Sequence, residues 1–263
     1  MAIDIDDIDG LVCDLDGVVY RGDEAIPGAV EALRELERRG RRVVLCTNNS
    51  APTVENYREK LRAMGLEVAP ERLVTSAVVA GEALSERGLA GPAFVVGAEG
   101  LREAVEGAGL DITGDPERAE VVVVGRDLRF DFDALRRAAD AVRAGAVFIA
   151  TNDDATYPST AGLEPGAGAL LAAIEVAGGR NAEVLGKPRR PMMERAAARF
   201  EPGARLAMVG DRAETDLAGA AAMGWTTVLV LSGVTGPGDV EALRPRPDFV
   251  LESLAELLHD GAR

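Results

Sequence analysis

Short runs of β-branched and aliphatic residues recur along the chain, and between them lie longer stretches whose apolar positions return every three or four residues. The first pattern predicts buried strands, the second amphipathic helices. Gly10–Asp14 reads as the opening strand. Pro27–Arg39 follows as a helix with Val30, Leu33 and Leu36 on one face and Gly40 as its stop. Arg42–Cys46 is a second strand, Thr53–Met64 a helix with Thr53 as N-cap and Gly65 as its stop, and Leu73–Thr75 a third strand. The middle of the chain repeats the pattern, with strands at Phe94–Val96, Val121–Val124 and Val147–Ala150 and helices at Glu99–Glu106, Asp133–Arg143 and about Gly166–Ala177. A final set of strands, Glu183–Leu185, Leu206–Val209, Thr227–Leu231 and Phe249–Leu251, again alternates with helical pattern.

Alternation of this kind predicts an α/β protein with parallel sheets made of βαβ units. The middle block is a small α/β unit by itself. The expected organisation is therefore a doubly wound, Rossmann-like core formed by residues 1–80 and 181–263, with an α/β domain inserted at 81–180. A chain of 263 residues has room for both.

Composition narrows the functional classes. The apolar runs are strand-sized, well short of the roughly 18 to 20 residues a membrane-spanning helix needs. The amino terminus, Met1-Ala-Ile-Asp-Ile-Asp-Asp, is acidic where a secretory signal would be basic, so a cytoplasmic location is expected. With 44 Asp and Glu against 29 Lys and Arg, the net charge of −15 repels a nucleic-acid backbone and makes that partner class unfavourable. A small anionic substrate can still bind if a metal ion, a few placed cations and backbone N–H groups overcome the global field locally. Two cysteines, Cys13 and Cys46, and one histidine, His259, are too few for a disulfide scaffold, a structural zinc site or a serine–histidine triad.

Candidate chemistry collects where strands end. The first strand runs into Asp14-Leu-Asp16-Gly17, and paired carboxylates at i and i+2 offer a nucleophile or metal ligand beside a proton donor. Alone, these are equally well turn-forming aspartates. The second strand runs into Thr47-Asn48-Asn49-Ser50, whose hydroxyl, amide and N–H donors suit a phosphate oxygen but are also common turn and cap residues. Lys187 follows the strand ending at Leu185; only it and Lys60 are lysine among the 29 basic residues, and Lys60 reads as a surface position on a helix. A compact ammonium can bridge a carboxylate and a phosphate where a guanidinium fork does not fit. Gly210-Asp211-Arg212-Ala-Glu-Thr-Asp216 follows Leu206–Val209, with two acids about one helical turn apart; helix capping by Asp211 is the plain alternative. Jointly, the four elements place acid, hydroxyl, lysine and acid at four strand ends of one sheet.

The ordered set Asp14-x-Asp16-Gly17, Thr47-Asn48-Asn49, Lys187-Pro188 and Gly210-Asp211-Arg212-x-x-Thr215-Asp216 resembles the haloacid dehalogenase superfamily of phosphatases. It is most similar to the 4-nitrophenylphosphatase-like branch, which carries a large α/β cap between the second and third motifs. Gly125-x-Asp127, Ala150-Thr151-Asn152-x-Asp154-x-x-Tyr157-Pro158 and Pro165-Gly166-x-Gly168 are similar to cap segments of that branch, while Arg126 departs from its usual apolar residue.

The resemblance implies Asp14 as a nucleophile that forms an aspartyl-phosphate and Asp16 as general acid, then base. It implies Mg²⁺ held by the Asp14 carboxylate, the Asp16 backbone carbonyl and Asp211, with Asp216 behind them. It further implies Thr47, Asn48, Asn49 and Lys187 as phosphoryl-binding residues, a small phosphorylated metabolite as substrate, and a homodimer formed through the cap. A phosphate-accepting signalling domain shares the strand-end acids, Thr and Lys but needs neither the second acid of Asp14-x-Asp16 nor the insertion. A non-catalytic phosphate-binding protein is the third reading, and the intact acid pair speaks against it.

Overall fold

The apolar runs do become strands, and their neighbours decide which sheet each one joins. In the computed structural model, which describes residues 5–89, 91–159 and 162–258, ten strands form two parallel-type sheets and two short hairpins stand apart. In chain order these strands are β1 (Gly10–Cys13), β2 (Arg42–Thr47), β3 (Leu73–Thr75), β4 (Ala93–Val96), β5 (Val121–Val124), β6 (Val147–Ala150), β7 (Glu183–Val184), β8 (Leu206–Gly210), β9 (Thr226–Val230) and β10 (Phe249–Leu251). His259 lies outside the described residues. No helix among them is long and apolar enough to cross a membrane.

The chain divides into two compact units, one made of residues up to Thr47, Arg58–Val74 and Lys187 onward, the other of Asn48–Tyr57 and Thr75–Gly186. The first holds a six-stranded sheet in the order β10-β9-β8-β1-β2-β3. Strand β1 lies inside it, parallel to β8 on one side and β2 on the other, with Cys13 level with Val209 and Leu45. From β1 the chain winds outward through β2 and β3, then returns to β8 and winds outward the other way. That reversal puts a topological switch point between β1 and β8, the crevice where open α/β sheets bind ligands. Helix α1 (Ala29–Arg38) buries Val30, Leu33 and Leu36, the face read from its periodicity. Each fully buried leucine of this kind contributes roughly 1.5 to 3 kcal/mol.

The second unit has a four-stranded parallel sheet, β7-β6-β5-β4. All four valines of β5 are buried, as expected of a central strand covered on both faces. Phe94, Val122, Phe148, Leu171 and Ile174 form its core. This unit is larger than the insertion read at 81–180. Buried polar side chains explain part of the difference: Thr151 donates to Ser50, and the Asn48 carbonyl accepts from Ser76 at 2.5 Å and Asn152 at 2.7 Å, which ties residues 48–50 to the segment after β6.

The structure corrects one assignment. Glu183–Leu185, read as part of the core set, contributes a two-residue strand that pairs with Ile149 and Ala150 in the second unit's sheet. The four motifs therefore do not follow four strands of one sheet. Three follow β1, β2 and β8, and Lys187 follows a strand of the other sheet.

Candidate active site

Strand β1 ends between two parallel neighbours, and the Asp14 N–H continues the ladder by donating to the Val209 carbonyl at 2.9 Å. The chain then turns sharply: the Leu15 carbonyl accepts from the N–H groups of Val18 and Val19, and the Gly17 N–H donates to the Tyr20 carbonyl. A hairpin of Tyr20–Arg21 and Glu24–Ala25 follows. Asp14 is buried at this turn, whereas Asp16 is partly exposed. Thr47 closes β2 and is buried, as are Asp211, one residue past β8, and Asp216, in the helical turn Ala213–Leu217.

Lys187 brings these positions together. Its side chain is 3% exposed, and its Nζ donates to Asp14 Oδ1 and Asp216 Oδ1, both at 2.6 Å, and to the Cys46 carbonyl at 3.1 Å. The other Asp216 oxygen accepts the Arg212 N–H at 3.1 Å. Carboxylate oxygens of Asp14, Asp211 and Asp216 all lie within 4.8 Å of one another.

Three buried carboxylates facing one ammonium leave a negative excess, felt at Asp14, Asp211 and Lys187. Burial, together with the like charges of Asp216 and Asp211, raises Asp14 well above the usual carboxylate range against the pull of Lys187. Burial and Asp216 raise Asp211 to about 6, partly offset by the hydrogen bond from the Val234 N–H. For Lys187 burial works toward the neutral form, but Asp14 and Asp216 together outweigh it and hold the ammonium well above its ordinary value. The donor set is hard oxygen, and the uncompensated charge calls for a cation. Mg²⁺, a small hard cation that takes oxygen ligands at about 2.0 to 2.1 Å, suits such a donor set.

Asn48 and Asn49 belong to the second unit. The Asn48 amide donates to Asp154 at 3.0 Å and the Asn49 amide to Tyr157 at 3.4 Å. The Tyr157 ring is capped by the Arg126 guanidinium, 4.2 Å from the ring centroid, which also pairs with Glu164. Lys60 is not the free surface residue its helix position suggested: its Nζ lies 3.9 Å from the centre of the Tyr20 ring and 3.5 Å from Asp23, against the hairpin that follows Asp16. Cys13 and Cys46 are free and buried; burial pushes Cys46 up to about 12 and Cys13 well above its ordinary value.

One stretch at this edge escaped the motif reading. Ser232–Thr235, just past β9, bonds to both Asp211 and Gly17. The available signal was a small-residue turn, Ser232-Gly233, at the carboxyl end of a strand beside β8.

Comparison with known proteins decides the family. A family model described as haloacid dehalogenase-like hydrolase matches residues 11–111, and a second, HAD-hydrolase-like, matches residues 184–257. The acid sugar phosphatase of Staphylococcus aureus is 35% identical over 246 residues, 93% of this chain and 95% of that one. The chain belongs to the haloacid dehalogenase-like hydrolases.

Within that family it falls in the 4-nitrophenylphosphatase-like branch of phosphatases, with an α/β cap inserted in a parallel-sheet core. The 4-nitrophenylphosphatase of Thermotoga maritima superposes with a TM-score of 0.90 at 36% identity, covering 96% of this chain and 97% of that one. The glycerol phosphate phosphatase of Mycobacterium tuberculosis, solved in complex with magnesium, gives a TM-score of 0.89 at 34% identity over 97% of this chain and 78% of that one.

Proposed function

We propose that this haloacid dehalogenase-like phosphatase hydrolyses phosphomonoesters of small metabolites, of the sugar phosphate or glycerol phosphate class, with Mg²⁺ and through an aspartyl-phosphate on Asp14. The observation that carries the reading is the buried cluster at the switch point, in which Lys187 bridges Asp14 and Asp216 at 2.6 Å with Asp211 beside them. Names of the relatives, acid sugar phosphatase and glycerol phosphate phosphatase, support the substrate class. The first unit acts as the catalytic core and takes in most, but not all, of residues 1–80 and 181–263. The second acts as the cap and takes in residues 81–180 together with Asn48–Tyr57 and the residues that flank the insertion, from Thr75 and up to Gly186.

Asp14 attacks phosphorus with a carboxylate oxygen while the ester P–O bond breaks, and Asp16 gives its proton to the departing alkoxide. In the second half, Asp16 as carboxylate takes a proton from water, whose oxygen attacks phosphorus and frees Asp14 and inorganic phosphate. Two displacements replace one difficult hydrolysis, and a single residue serves as acid and then base. Burial raises Asp14 despite the opposing pull of Lys187, so the ammonium favours the anionic nucleophile without being sufficient by itself, and a bound cation would add to it. Lys187 and the Thr47 hydroxyl bind the transferring phosphoryl oxygens, and Asn48 and Asn49 complete that turn.

Asp14, Asp211 and the Asp16 backbone carbonyl would hold the Mg²⁺, with Asp216 behind them. The ion would neutralise charge on the phosphoryl group and the carboxylates around it. Phosphate release from a panel of sugar, glycerol, glycolate and aryl phosphates, each with Mg²⁺ and with excess chelator, tests the proposal. Release only with Mg²⁺ and from several small esters is expected. Full activity in chelator, or none on any ester, would overturn it.

A further inference from the structure

Past β9 the chain runs Ser232-Gly233-Val234-Thr235, small and uncharged, and it touches the active-site edge at several points. The Val234 N–H donates to Asp211 Oδ2 at 2.6 Å, and the Thr235 hydroxyl donates to the Asp211 backbone carbonyl at 2.5 Å. Two adjacent residues thus grip the side chain and the main chain of the same aspartate. The Ser232 hydroxyl donates to the Gly17 carbonyl at 2.8 Å, and the Ser232 carbonyl accepts from Arg21 Nε at 2.6 Å. The segment therefore also holds the turn that carries Asp16 and the hairpin after it.

The fit leaves no room for side chains. A Cβ on Gly233 would lie 2.0 Å from Asp211 Oδ2, and one on Gly17 would lie 2.5 Å from the same oxygen, while Gly17 itself has φ +83°. Two glycines at this spot let backbone close in on one carboxylate oxygen, so the carboxylate cannot turn about its own bond without losing the Val234 N–H. The Thr235 contact joins residues 24 apart in sequence, so it is no local turn bond of the kind threonine makes with its own neighbours. Thr235 is buried, and its hydroxyl has a job that a nearly isosteric valine could not do.

We propose that Thr235 is a positioning residue for the divalent cation: it fixes Asp211, through the Asp211 main chain, in the orientation that the metal requires. The inference rests on the reading of Asp211 as a metal ligand. Asp211 sits one residue beyond the strand, so its carbonyl lies outside the ladder register, and a ligand that must first be ordered binds more weakly than one already held.

The test is calorimetric titration of Mg²⁺ into chelator-stripped protein, which needs no turnover, for the wild type and three variants. Thr235→Ser keeps the donor and loses a methyl; Thr235→Val keeps the bulk and loses the donor; Thr235→Ala loses both. Affinity should follow the hydroxyl: Ser within about twofold of wild type, Val and Ala weaker by about five- to tenfold, the size expected when a buried carbonyl loses a hydrogen-bond donor. Affinity that follows bulk instead, with Val near wild type and Ser as weak as Ala, would overturn the proposal even if all variants lose thermal stability. Should Thr235→Val not fold, the contrast between Ser and Ala decides: equal affinity in the two overturns it. A wild-type chain that binds no Mg²⁺ overturns the functional reading itself, and this inference with it. A wild type that binds and a Val variant that binds equally overturns only the role of Thr235.

Discussion

Replacing Lys187 with methionine removes the one ammonium that stands between two buried carboxylates. The change is close to isosteric, so the loss is electrostatic and not a cavity. In the native protein the Nζ lies 2.6 Å from both Asp14 and Asp216, and the lysine side chain is 3% exposed. Removing one partner of such a buried pair typically costs about 3 to 5 kcal/mol at neutral pH, because the remaining charge has nothing to offset its desolvation. Asp14 can escape part of that cost by taking up a proton. Asp14 is already raised well above 3.8 by burial and by the neighbouring acids, and loss of the ammonium raises it further. A carboxyl with a raised folded-state value adds stability that is complete below its unfolded value, near 3.8, and is lost as pH rises through the folded value. The variant therefore holds more of this proton than wild type and should lose stability relative to it as pH rises, by at most about 1.4 kcal/mol per pH unit for one full extra proton. Between pH 5 and pH 7 the gap should widen, by up to about 3 kcal/mol if the variant holds one full extra proton throughout. Urea unfolding of both proteins in excess chelator at closely spaced pH values measures it. Parallel stability curves over this interval would refute the reasoning, since they would mean that Lys187 does not compensate buried negative charge.

Three further outcomes follow from the same geometry. Asp16→Asn should release a burst of about one equivalent of nitrophenol from 4-nitrophenyl phosphate and then stall, and alkyl phosphates should show no burst, because a poor leaving group needs the acid while every substrate needs the base; equal slowing of both esters without accumulated phospho-enzyme would count against the shared role. In the metal-free protein Asp211 is raised to about 6, so the stability its protonation contributes is complete below 3.8 and lost as pH rises through about 6; Mg²⁺ should therefore raise the melting temperature more at pH 7.5 than at pH 5, and an equal or reversed increment would contradict this. Cys13 and Cys46 should resist a thiol reagent at pH 8 in the native state and both react after unfolding, since burial keeps them protonated; rapid labelling of the native protein would contradict their placement.

Much of the site could be read from the chain because its chemistry is carried by charged residues at strand ends. Asp14, Asp211, Asp216 and Lys187 stand out as acids or a rare lysine just past apolar runs, and the structure gathers them. The sheet assignment of Glu183–Leu185 could not be read the same way. A two-residue strand has too little pattern to select a partner, and its pairing with β6 is a tertiary outcome. Lys60 looked like surface because periodicity reports the exposed face of a helix, not an aromatic ring brought over it from Tyr20. Ser232–Thr235 was missed for a related reason. Its contacts run through backbone groups and two hydroxyls, and no charge or spacing marks it.

The central claim is that phosphate passes through Asp14, and the most direct measurement is acid quenching of the working enzyme followed by mapping of the phosphorylated residue. With a small phosphate ester and Mg²⁺, acid-stable phosphate should be found on Asp14 during turnover, and Asp14→Asn should carry none and turn over nothing while keeping its fold. Phosphate on another residue, or undiminished hydrolysis by Asp14→Asn, would contradict the account.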